Sequence, residues 1–98
     1  MSQRDSLIGK LTDKTAHIGI VGLGYVGLPL ALRFVEAGFR VTGLDIDAGK
    51  VQALNTGGSY IAQIPAQRIA AAVSRKFSAT TDFSTARNMD AIIICVPT

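Results

Sequence analysis

Gly22-Leu23-Gly24-Tyr25-Val26-Gly27 sets three glycines in the spacing G-x-G-x-x-G. This is not the spacing of a nucleophile or a metal site. It is a way of bringing bare backbone close to an anion. In such a loop the first glycine permits a tight turn, the second lets the chain approach a pyrophosphate with no side chain between, and the third lets a helix lie close on a strand. A helix beginning at the loop adds free amides and a favourable dipole for negative charge. The spacing by itself is a weak signal, and its neighbours strengthen it. Asp45 lies 18 residues beyond Gly27, near the ~20 expected of the carboxylate that accepts the adenosine ribose hydroxyls of a dinucleotide. That carboxylate repels a 2′-phosphate, and Ile46 and Asp47 follow it where an arginine would be needed to hold one. NAD is therefore expected in preference to NADP.

Other reactive residue types carry less. Cys95 stands in Ile-Ile-Ile-Cys-Val and reads as an inert hydrophobe buried in a strand. His17, the one histidine, opens a strand at the end remote from the glycine loop and reads as a strand-edge residue. Lys50 fits a contact to the adenosine half of a cofactor or an ordinary helix surface equally well, and Tyr60 is equally open. Pro97 and Thr98 close a strand at its carboxyl end, where open α/β sheets bind ligands, so both are counted as cofactor contacts. No catalytic residue and no metal site is expected in this chain.

The elements needed to position these residues can be read from periodicity. His17 to Val21 is an apolar run breaking into glycine, as a buried strand meeting a turn does. From Tyr25 to Ala37 the period is helical, with Val26, Leu30, Phe34 and Ala37 as the apolar face and Gly38 as the C-terminal cap. Arg40 to Asp45 is a second strand. Asp47 caps a helix that turns Val51 and Leu54 inward and stops near Asn55 to Gly58. Pro65 opens a helix running to about Arg75. Phe77 to Thr80 is a short strand, and Asp82 caps a brief helical piece. Ala91 to Val96 is apolar on both faces, as in a central strand of a covered parallel sheet. Alternation of this kind predicts an α/β fold: a Rossmann-type, doubly wound parallel sheet of about four strands in the order 3-2-1-4. Leu7, Ile8 and Leu11 suggest a helical extension over residues 1–15, with residues 16–98 forming the first part of the dinucleotide domain.

Composition excludes several classes. The chain has 98 residues, 48% hydrophobic and 17% charged, enough for one domain with a core and unlike a disordered chain. Its net charge of +3 is scattered and forms no nucleic-acid stripe. The longest uncharged apolar stretch, Ile18 to Leu32, is too short to span a bilayer and contains four glycines and Pro29. A single cysteine suits a reducing, cytoplasmic setting. No nucleic-acid or membrane partner is expected.

Gly22 to Gly27 continuing into Leu28-Pro29-Leu30-Ala31, with Gly43-Leu44-Asp45-Ile46-Asp47, Lys50-Val51, Leu54-Asn55, Ser59-Tyr60-Ile61 and Val96-Pro97-Thr98, resembles the start of the nucleotide-sugar 6-dehydrogenases. The Gly-Ser-Tyr-Ile segment and the lead-in are most similar to the UDP-N-acetylglucosamine branch. The resemblance implies a cytoplasmic, homo-oligomeric enzyme that oxidises C6 of a UDP-sugar to a uronic acid with two NAD, through a cysteine thioester. It also implies that Gly22, Leu23, Gly24, Tyr25, Val26 and Gly27 line the pyrophosphate, that Asp45 and Lys50 meet the adenosine ribose, and that Thr98 meets the nicotinamide half. The family's catalytic residues come later in the chain, and Cys95 does not match its cysteine. The 98 residues are therefore expected to be an inactive amino-terminal fragment, with a last strand left bare along one edge. Two alternatives share the glycine loop. A β-hydroxyacid dehydrogenase would place Met-Gly where Val26-Gly27 stands. A regulatory nucleotide-binding domain would carry a Gly-Asp-Ala/Thr segment that this sequence lacks.

Overall fold

The computed structural model describes residues 15–95. The expected amino-terminal helix and the contacts assigned to Pro97 and Thr98 lie outside the described residues. Four strands, β1 (His17–Val21), β2 (Arg40–Leu44), β3 (Phe77–Thr80) and β4 (Ala91–Ile94), form one parallel sheet in the order β3-β2-β1-β4. Between them run α1 (Gly27–Glu36), α2 (Ala48–Asn55), α3 (Ala66–Val73) and a 3₁₀ segment (Phe83–Asn88). The expected order 3-2-1-4 is observed.

Side chains alternate across a strand, and here the two faces of the sheet differ. Ile18, Ile20, Val41, Phe77 and Ala79 point to one face and form a single core with Leu28, Leu32, Val35, Leu54 and Ile69 of the helices. Each fully buried aliphatic side chain in that core contributes about 1.5–3 kcal/mol. The helices gather there because both crossovers, β1 to β2 and β2 to β3, step in the same direction, and right-handed crossovers in one direction fall on one side.

Two readings of apolar faces need correction. In α1 the buried residues are Gly27, Leu28, Ala31, Leu32 and Val35, not the row through Val26, Leu30, Phe34 and Ala37. The helix begins at Gly27, so Val26 stands outside it and is 69% exposed. Leu30 and Phe34 flank the core, and Phe34 meets the ring of Phe39 edge-on. The second correction concerns β4, which is not covered on both sides. Ala91 and Ile93 pack on the core, while Ile92 and Ile94 are 45% and 67% exposed. They lie on the face opposite the helices, and among the described elements β4 is a terminal strand paired only with β1.

Loop chemistry follows the expected pattern. Asp47 caps α2, its Oδ1 accepting from the amides of Gly49 at 2.9 Å and Lys50 at 3.2 Å. Asp82 accepts from the Ser84 amide at the start of the 3₁₀ segment. Gly38 takes φ 109° just after α1, the left-handed C-terminal cap. Asn55 does something the sequence did not announce. Its side-chain amide donates to the Ala79 carbonyl and accepts from the Ala79 amide, at 2.8 and 2.9 Å. It thus acts as a one-residue surrogate strand along the outer edge of β3.

Candidate functional site

The glycine loop leaves β1 at Val21 and enters α1 at Gly27. The protein itself requires two of its glycines. Gly22 sits at φ +93°, in the left-handed region, and a Cβ there would overlap the carbonyl oxygen of Cys95. At Gly27 a Cβ would overlap the carbonyl oxygen of Gly22, which is how α1 lies so close to β1. Gly24 is different. It has no positive φ, and a Cβ at this position would meet nothing within 4 Å. Packing does not explain its lack of a side chain. The space a Cβ would enter belongs to a crevice of about 920 Å³ at the carboxyl ends of β1, β2 and β4.

Gly22, Leu23, Gly24, Tyr25, Val26, Gly27, Asp45 and Lys50 all line this crevice. Every candidate contact within the described residues is therefore gathered at one place. Tyr25 and Val26 are 77% and 69% exposed at its mouth. Val26 precedes α1 and provides no side-chain cap, and the first turn of the helix has no acidic residue. The positive end of the helix thus has no carboxylate of its own in that turn.

Asp45 follows the end of β2 and its carboxylate is already engaged. Oδ2 accepts from the Leu23 amide and Oδ1 from the Asp47 amide, both at 2.9 Å. Each carboxylate oxygen has a second lone pair, so both bonds leave acceptor capacity on a residue that lines the crevice. Leu23 is held at three points. Its side chain is fully buried against Gly43, its amide donates to Asp45, and its carbonyl accepts from the Tyr60 hydroxyl. The Tyr60 phenol is held well above its ordinary pKa, first by burial and then by the Asp45 and Asp47 carboxylates, so it remains a hydrogen-bond donor. The Lys50 ammonium lies 5.6 Å from the centre of the Tyr60 ring, within cation–π range. Both residues left open by spacing thus belong to the crevice.

Cys95 requires a correction. It packs against the edge of the core and is only partly buried. Because β4 ends at Ile94, Cys95 falls at the strand's carboxyl end, half-buried, lining the crevice beside Gly22 and Gly27. His17 stays where it was expected, at the opposite end of β1. Its Nε2 lies 2.7 Å from Thr42 Oγ1, and burial, with Arg40 nearby, lowers its pKa. Phe83, Ile46 and Ile61 also line the crevice. Their spacing carried no signal, because apolar residues at a site look like any others in sequence. Among the described residues no cluster of His, Cys, Asp or Glu could hold a metal, and no helix is long and apolar enough to cross a membrane.

Known proteins resemble this chain in sequence and in fold. The UDP-N-acetyl-D-mannosamine dehydrogenase of Pyrococcus horikoshii is 32% identical over 84 residues, covering 84% of this chain and 20% of that protein. The UDP-N-acetyl-D-glucosamine 6-dehydrogenase of Pseudomonas aeruginosa is 33% identical over 85 residues, covering 87% of this chain and 19% of its own length. The crystal structure of a ternary complex of GDP-mannose dehydrogenase from Pseudomonas aeruginosa superposes with a TM-score of 0.76 at 35% identity, over 83% of this chain and 19% of that one. The chain spans about one-fifth of the length of these relatives. Residues 16–98 match the family described as UDP-glucose/GDP-mannose dehydrogenase family, NAD binding domain. With its 3-2-1-4 parallel sheet and glycine loop opening α1, the chain belongs to that family and carries its NAD-binding domain.

Proposed function

We propose that the chain holds NAD across the carboxyl ends of β1, β2 and β4, as the cofactor-binding part of an enzyme that oxidises C6 of a UDP-hexose, UDP-N-acetylglucosamine in particular. The observation that carries the binding reading is Gly24. Neither its backbone conformation nor packing calls for a glycine there, whereas a diphosphate lying against the loop does. In this reading the amides from Gly24 to Gly27 and the start of α1 meet the diphosphate, with Tyr25 and Val26 over it. Asp45 and Lys50 meet the adenosine ribose, and Pro97 and Thr98 the nicotinamide half. NAD supplies the hydride acceptor. The residues of this chain bind it, orient it and exclude its 2′-phosphorylated analogue.

The choice of UDP-N-acetylglucosamine draws support from the Gly58-Ser59-Tyr60-Ile61 segment and from the relative of that specificity. The 98 residues alone are proposed to be the first part of the cofactor domain and catalytically inactive, since Cys95 does not match the catalytic cysteine of the family that the chain resembles. Calorimetric titration of the protein with NAD, NADP and ADP-ribose tests the reading. NAD and ADP-ribose should bind, and NADP more weakly. Equal binding of NAD and NADP would refute the role of Asp45, and no binding of either NAD or ADP-ribose would refute the site. Reduction of NAD by this chain with a UDP-sugar would refute the inactivity. For the enzyme carrying this domain, assay against a panel of UDP-sugars tests the substrate, with UDP-N-acetylglucosamine expected to be turned over best.

A further inference from the structure

We infer that Tyr60 is a positioning residue for the glycine loop, fixing the direction in which Gly24 presents its backbone amide. This inference rests on the dinucleotide reading of the crevice for its effect on binding, but the tether itself is a property of the free protein. The Tyr60 hydroxyl donates to the carbonyl oxygen of Leu23. That carbonyl and the Gly24 amide belong to one peptide unit, which is planar and, like every described peptide bond, not cis. In such a unit the C=O and N–H point in opposite directions. Holding the Leu23 carbonyl toward Tyr60 therefore holds the Gly24 N–H away from it.

The preceding peptide is fixed as well, because the Leu23 amide donates to Asp45 and the Leu23 side chain is buried on Gly43. Without Tyr60, the Leu23–Gly24 peptide could rotate about two soft torsions, one of them at a glycine. Gly24 has no side chain to restrain it and no packing neighbour on its open side; the Leu28 amide donates to its carbonyl at 3.1 Å, which holds the peptide after Gly24 and not the one carrying its N–H. A tether from outside the loop is what converts a permissive glycine into a directed donor, and Tyr60 comes from the segment joining α2 to α3, 37 residues away in sequence. The Tyr60 ring makes a separate contact as the shelf beneath the Lys50 ammonium. One side chain thus touches both the diphosphate loop and the adenosine side of the crevice, through different atoms.

The separation suggests the variant. Tyr60→Phe removes the tether and keeps the shelf. Its ADP-ribose affinity, measured by calorimetry, should fall about tenfold, or about 1.4 kcal/mol. Without ligand, the NMR order parameter of the Gly24 amide should fall below its wild-type value, while the melting temperature and the hydrogen exchange of amides in β1 and β2 stay unchanged. Tyr60→Leu, which also removes the shelf, should bind ADP-ribose more weakly still. An unchanged Gly24 amide in Tyr60→Phe would overturn the tether. Unchanged ADP-ribose affinity beside a more mobile Gly24 amide would overturn its bearing on binding. A lowered melting temperature with faster exchange throughout the sheet would make Tyr60 a strut of the fold and overturn the positioning role. Failure of the wild-type protein to bind ADP-ribose would overturn the dinucleotide reading, and the ligand-free amide would still decide the tether.

Discussion

Replacing Gly24 by alanine separates what the fold needs from what a ligand needs, and Gly27→Ala is its counterpart. At Gly24 the new methyl group enters open crevice and the backbone is outside the left-handed region. The folded state should accept it, and the smaller entropy of the unfolded chain should add about 0.4–1 kcal/mol of stability. The same methyl group lies where the diphosphate must approach the backbone. Losing one or more charge-assisted bonds of about 1.5–3 kcal/mol each should weaken NAD binding about ten- to a hundredfold or more. At Gly27 the added carbon overlaps the Gly22 carbonyl oxygen, a backbone atom that cannot swing aside. Relief requires α1 to shift from β1, an overpacking cost of about 1–3 kcal/mol. For a domain of this size each 1 kcal/mol moves the melting temperature by about 4–8 °C. Thermal melts and calorimetric titration with NAD on the two variants read both quantities. Gly24→Ala should melt no lower than wild type and bind poorly, while Gly27→Ala should melt clearly lower. Gly24→Ala binding NAD as tightly as the wild type would refute the reasoning, since the one glycine the fold does not require would then have no ligand to explain it.

Cofactor choice should follow charge at the end of β2: Asp45→Ala with Ile46→Arg should narrow or reverse the preference for NAD over NADP in paired titrations. Because Asp45 also accepts from Leu23 and Asp47, the same variant should lose about 1–3 kcal/mol of stability, read by denaturant unfolding. His17 has its pKa lowered from 6.5 by burial and then by Arg40, so the unfolded chain binds the proton more readily than the folded one. Its contribution to stability is present above about pH 6.5 and is lost as the pH falls through the lowered folded value; His17→Gln should flatten the fall in stability between about pH 7 and 5. The Glu36 carboxylate, held low first by its hydrogen bond to Arg68, sits in an exposed pair with bonds of 2.7 and 2.9 Å. Glu36→Gln should cost no more than about 1 kcal/mol at neutral pH, an advantage the wild type loses as acidification protonates Glu36. Asn55→Ala should uncover the outer edge of β3, appearing in sedimentation velocity as concentration-dependent association.

The elements, their order and the parallel sheet were legible in the sequence because local signals specify them. Glycine spacing, caps at Asp47 and Asp82, Pro65 and β-branched runs each act within a few residues of chain. The glycine loop and Asp45 were legible for the same reason, and their common crevice is what the fold then produced. Tertiary structure decided the rest. The spacing of Val26, Leu30, Phe34 and Ala37 offered α1 an apolar row, yet the buried row runs through Leu28, Ala31, Leu32 and Val35, because the close approach at Gly27 sets which side of the helix meets the sheet. The composition of β4 suggested cover on both faces, but both earlier crossovers step the same way and bring their helices to one side, leaving Ile92 and Ile94 outside. Cys95 stands at the border of core and crevice, half-buried, because β4 ends one residue earlier. Tyr60 could not be assigned from its surroundings in sequence, since its partner Leu23 lies 37 positions away. A contact over that distance exists only once the sheet has brought the two loops together.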